Sequence, residues 1–81
     1  MNRIDLNLKV EKIIREVLKI DDEFNIKEIS IMNCENWDSL NHMVLISELS
    51  NLLGKELSPD EIMELTSVKN IFEFIKNNAK N

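Results

Sequence analysis

Helix breakers are almost absent from this chain: one glycine, Gly54, and one proline, Pro59, in 81 residues. With apolar residues at 43%, the chain has enough to bury a core rather than stay disordered. Long helices with few interruptions are the elements such a sequence can form. Leu6, Val10, Ile13, Ile14 and Val17, with Leu18 beside them, recur at helical spacing. Lys9, Glu11, Lys12, Arg15, Glu16 and Lys19 cover the opposite face as solvated charge. Asp5 stands where it could cap this first helix.

The pattern lapses from Ile20 to Trp37. Asp21, Asp22, Glu23 and Asn25 indicate a turn, and Phe24, Ile26, Ile29 and Ile31 indicate a long loop pinned to the core. A short strand over Ile26–Ile31 is the alternative. Helical order resumes at Asp38, a preferred N-cap, and runs from Ser39 to Leu53. On a wheel of about 100° per residue, His42, Leu45, Ile46, Leu49, Leu52 and Leu53 share the core side. Leu40, Val44, Ser47 and Asn51 share the outer side, which Leu40 and Val44 make apolar. Gly54 is a helix stop. Ser58-Pro59-Asp60-Glu61 combines a capping serine, a proline at the first position and a glutamate three residues after the cap. Ile62, Met63 and Leu65 allow only a short third helix. Thr66 or Ser67 caps a fourth, whose Val68, Ile71, Phe72 and Ile75 face inward, and Asn77 to Asn81 form a polar tail expected to fray.

Composition excludes several functions. Ten basic residues against fifteen acidic ones, net −5, disfavour nucleic acid and suit basic protein partners. A single cysteine, Cys34, precludes an internal disulfide and reads as a reduced, partly buried residue of a cytoplasmic protein. The start lacks a signal-peptide core, and no run approaches membrane-spanning length. One His and one Cys cannot build a structural zinc site, and Asp21-Asp22-Glu23 lacks the glycine of a calcium loop, so no metal is expected. Met32, Met43 and Met63 read as gap-filling core or interface residues. Asp38, Ser39 and His42 suggest a hydrolytic triad, but Asp38 is needed for capping and no oxyanion hole is indicated. His42 instead reads as a core-edge residue against Trp37, in a staple-like contact. No catalytic residue is assigned.

Ser39, at the first position of the second helix, is the candidate functional residue. The unpaired N–H groups and partial positive charge of a helix start favour an anion bonded there. Asp38-Ser39-Leu40 resembles the attachment motif of the acyl carrier protein family. Leu45, Leu49, Leu53-Gly54, Leu57, the Ser58-Pro59-Asp60-Glu61 start and the Thr66-Ser67-Val68 start extend the resemblance from about Leu6 to Ile75. It implies an all-α four-helix carrier bundle, three longer helices and one short, with a long loop between the first two, in a single domain over residues 1–81. It implies 4′-phosphopantetheine on Ser39, flanked by Asp38 and Leu40. A phosphopantetheinyl transferase installs the arm, and an acyl or aminoacyl thioester is presented on it to loading and acyl-using enzymes by a monomeric carrier that is not itself an enzyme. Leu40, Met43, Val44, Ser47, Glu48 and Glu61 are the expected partner contacts. The chain departs from fatty-acid carriers in having Glu48 as the only acid of its second helix, which points to a dedicated pathway, with aminoacyl cargo as one option. An unmodified helical adaptor that only binds proteins is the alternative function.

Overall fold

The computed structural model describes residues 3–78. Four helices follow in order: α1 (Arg3–Leu18), α2 (Ser39–Leu53), α3 (Pro59–Glu64) and α4 (Val68–Asn78), with one 3₁₀ turn, Ile26–Glu28, in the α1–α2 connection. The described residues form the expected all-α bundle, with α3 as the short member.

α1, α2 and α4 each bury one stripe, and α3 buries none. Leu6, Val10, Ile14 and Leu18 of α1 meet Leu45, Ile46 and Leu49 of α2 and Val68, Ile71 and Ile75 of α4 in one core, closed by Leu65, Ile26 and Trp37. His42, Leu52, Leu53 and Phe72 are half-buried at its margin. Gly54 ends α2 at φ 68°, ψ 30°, in the left-handed region that glycine enters without strain. α1 ends the same way on a residue with a Cβ: Lys19 has φ 56°, and the Ile20 N–H closes on the Arg15 carbonyl at 2.9 Å. Ser58 and Glu61 form the full capping box of α3. Of the two candidates for the α4 cap, Ser67 is used, its hydroxyl accepting the Asn70 N–H at 3.0 Å.

Several expectations are corrected. Asp5 lies inside the first turn of α1 and is not its N-cap; an acid there still complements the helix dipole. Asn77 and Asn78 do not fray: both are helical, and the Asn78 side chain donates to the Phe74 carbonyl and accepts from Lys55. Residues 79–81 lie outside the described residues. In the long connection Ile26 is buried and Ile29 half-buried, but Phe24 is 62% exposed and Ile31 also faces solvent. Polar bonds pin the segment instead. The Arg15 guanidinium donates to the carbonyls of Asp21 and Phe24 while pairing with Glu11 at 2.9 Å. No strand forms over Ile26–Ile31. Among the described residues a single antiparallel bridge pairs Ser30 with Ser67, through Ile31 N–H to Thr66 O and Val68 N–H to Ile29 O, each 2.9 Å. Met32 and Met63, 89% and 75% exposed, are surface residues and not core filling.

Candidate functional site

Ser39 is the first residue of α2 and is exposed. Asp38 precedes it in extended conformation (φ −103°, ψ −177°), and its carboxylate accepts the Asn41 N–H at 2.8 Å. The N–H groups of Asp38, Ser39 and Leu40 have no partner among the described residues. They are the orphan donors of a helix start, and they give the surface beside Ser39 a partial positive charge.

The chain has six serines, and hydrogen bonding separates them. Ser30 accepts from the Met32 N–H, Ser58 from Glu61 and Ser67 from Asn70, and Ser50 donates to the Lys55 carbonyl. Only the hydroxyls of Ser39 and Ser47 have no partner among the described residues. Ser47 lies in the middle of α2, where the backbone amides are consumed by the helix. Ser39 alone combines a free hydroxyl with free amides.

Four side chains brace this turn. Trp37 is 2% exposed, and its indole N–H donates to His42 Nδ1 at 3.0 Å, with ring centroids 6.2 Å apart. An indole can only donate, so Nδ1 must be the accepting nitrogen of a neutral imidazole. The proton then sits on Nε2, which donates to the Ile62 carbonyl at 2.9 Å. Both imidazole nitrogens are thereby committed away from Ser39, and Asp38 is committed to the cap, so the Ser-His-Asp residues are neighbours without a triad. On the other flank the Asn41 side-chain amide donates to the Asn36 carbonyl at 2.7 Å, and Asn36 donates to the Leu18 carbonyl at 3.0 Å. The staple-like contact of His42 with Trp37 is thus present as a hydrogen bond. The roles of Asn36 and Asn41 had no signal in the sequence, since any polar residue suits an exposed loop or the first turn of a helix.

The expected partner residues fall in two groups. Leu40, Met43 and Val44 are 74%, 51% and 42% exposed, and Ser47 and Glu48 are also exposed on α2. Glu61 is engaged within the chain. Its carboxylate accepts the Ser58 N–H at 2.8 Å and lies 3.6 Å from the Lys55 ammonium. The Ser58 N–H holds its carboxyl below the ordinary value of 4.5; partial desolvation opposes this and the Lys55 charge adds to it. A groove between α1, the 3₁₀ turn and α4, lined by Arg15, Ile26, Val68 and Phe72, does not include Ser39. Cys34 is a half-buried free thiol. Among the described residues no His, Cys, Asp and Glu group is placed to hold a metal ion, and no helix is long and apolar enough to cross a membrane.

Ser39 is thus displayed at an exposed helix start of a small helical bundle, with Asp38 and His42 committed elsewhere. Residues 9–75 match the family described as "Phosphopantetheine attachment site". The chain is also 32% identical over 77 residues to a protein named acyl carrier protein from Thermosynechococcus vestitus, covering 95% of each. The chain belongs to the acyl carrier protein family: it is a carrier that holds acyl groups on covalently attached 4′-phosphopantetheine. That family is generally non-catalytic and works with acyl-handling enzymes.

Proposed function

We propose that Ser39 carries the 4′-phosphopantetheine arm. The observation that carries this reading is the free hydroxyl of Ser39 beside three unpartnered amides at the start of α2. A phosphopantetheinyl transferase brings coenzyme A to this surface. Ser39 Oγ attacks the phosphorus that bears pantetheine, the pyrophosphate P–O bond breaks, and the nucleotide leaves with its own phosphate. The hydroxyl proton passes to a base of the transferase. The new phosphodiester anion rests at the positive end of α2.

The thiol at the end of the arm holds an acyl or aminoacyl group as a thioester, and the tether delivers it to partner sites at high effective concentration. The carrier performs no chemistry of its own, acts in the cytoplasm as a monomer, and comprises one unit over residues 1–81. Leu40, Met43 and Val44 form the apolar centre of its docking face, with Ser47 and Glu48 beside them and Glu61 at the edge, its charge partly met by Lys55. With Glu48 the only acid of α2, docking there depends more on apolar burial than on charge, as suits a dedicated pathway with its own loading enzyme, aminoacyl cargo included. Incubation with coenzyme A and a promiscuous transferase should add one phosphopantetheine mass to the wild type and none to Ser39→Ala. An equal gain in the alanine variant would overturn the assignment.

A further inference from the structure

The three helices that begin with a side-chain cap, α2, α3 and α4, are not finished alike at the third position; in α4, Asn70 passes by its cap Ser67 and donates to the Glu64 carbonyl at 2.9 Å. In α3 the residue there, Glu61, reaches back to the N–H of its own cap, Ser58, at 2.8 Å. In α2 the residue there, Asn41, passes by the cap and donates to the Asn36 carbonyl, two residues further back, at 2.7 Å. The bond therefore spans the chain from Asn36 to Asn41 and leaves the Asp38 N–H free. One residue along, Trp37 and His42 repeat the same five-residue span at 3.0 Å. Each pair has an outer anchor: Asn36 on the Leu18 carbonyl closing α1, and His42 on the Ile62 carbonyl of α3. Two clasps thus straddle Asp38-Ser39 and tie the turn to helices on either side.

The clasps differ in what else they do. Trp37 is buried in the core, so its clasp also holds the fold together. Asn41 is half-buried and Asn36 exposed, and neither belongs to the core. The Asn36–Asn41 bond fixes the turn while supporting little else. We propose that Asn41 is a positioning residue for arm transfer: by closing on the Asn36 carbonyl it holds Ser39 in the orientation a transferase requires, and it sets the rate of transfer without touching the reacting atoms. The inference rests on Ser39 being the attachment residue. Transfer needs the attacking oxygen aligned with the phosphorus at close approach, so a turn that samples several orientations reacts slowly even when bound.

The chemistry of the side chain makes this testable. A carboxylate at position 41 keeps the size of asparagine but cannot donate to a carbonyl. Leucine is of similar size, neutral and equally unable to donate. Asn41→Asp and Asn41→Leu both leave Leu40, Met43 and Val44 in place. Initial rates of transfer from coenzyme A are measured over a range of carrier concentrations, with melting temperatures alongside. Loss of the one bond should lower kcat about fivefold in both variants, with KM changed less than about twofold, since docking is intact. A purely structural role would act oppositely: a partly unfolded carrier raises apparent KM, because only the folded fraction binds, and leaves kcat at saturation unchanged.

Unchanged kcat in both variants would overturn the proposal, and so would a loss confined to apparent KM. A loss in Asn41→Asp alone would also overturn it, because charge rather than the missing donor would then be the cause. Failure of the wild type to be modified, or modification away from Ser39, would overturn the site assignment instead. Reaction of the wild type at Ser39 at a rate the variants equal would overturn only the role of Asn41.

Discussion

Replacing Trp37 by phenylalanine tests how much of the fold depends on the brace beneath Ser39. Trp37 is 2% exposed, and its indole N–H supplies the only hydrogen bond to His42 Nδ1 among the described residues. Phenylalanine fills part of the indole site and cannot donate. Shrinking a buried ring by this amount costs about 1–2 kcal/mol when the site only partly collapses. The lost hydrogen bond adds about 0.5–1.5 kcal/mol, toward the lower end because His42 is half-buried and water can reach it. The sum, about 2–3 kcal/mol, should lower the melting temperature of a domain this small by roughly 10–20 °C. The assay is far-UV circular dichroism, because Trp37 is the only tryptophan and fluorescence is lost with it. A fall of less than about 3 °C would refute the reasoning, since on this scale it corresponds to under about 1 kcal/mol. Trp37 would then be a passive filler and not the post to which His42 is tied.

Ser58→Ala removes the cap of α3, which should cost about 1 kcal/mol and lower melting by several degrees; an unchanged midpoint would show that the capping box is ornamental. Glu61 binds its proton more weakly folded than unfolded, so its charge contributes stability above its ordinary value of 4.5 that is lost as pH falls through the lowered folded value. The melting advantage of wild type over Glu61→Gln should therefore shrink on acidification from pH 4.5 downward, and an advantage that grows there would contradict the direction. Val44 is 42% exposed on the outer side of α2, so Val44→Asp should leave melting nearly unchanged and clearly weaken binding to the loading enzyme in calorimetric titration. Salt should weaken the wild-type complex only mildly, because apolar burial is not screened; unchanged affinity with steep salt dependence would place docking on the acidic α3 region instead.

The parts of this molecule that were legible in its sequence are those governed by short-range rules. α2 begins at Ser39 and ends at Leu53 as its cap, its apolar period and Gly54 require, and its wheel sorts Leu45, Ile46 and Leu49 from Leu40, Val44 and Ser47 correctly. The α3 capping box is equally explicit in residue types. The α1–α2 connection was harder to read, because outside a repeating element an apolar residue does not reveal its direction. Ile26 is buried there while Phe24 is exposed. What fixes the connection, Arg15 on two carbonyls and the Ser30–Ser67 bridge, depends on partners far away in sequence or on backbone groups every residue has. The same holds for Asn36 and Asn41, whose bonds have no periodicity. Lys19 took up a left-handed turn with no glycine to announce it. The position of the candidate serine was therefore readable, whereas the device that steadies it was not.

The central claim is that Ser39, and no other serine, receives the arm. Tandem mass spectrometry of peptides from the modified wild-type protein tests it most directly, because it locates the phosphodiester among all six serines. The account predicts the phosphopantetheine on Ser39 alone, at one per chain. An arm on Ser47, the other serine with an unengaged hydroxyl among the described residues, or on any of the four whose hydroxyls are bonded, would contradict it.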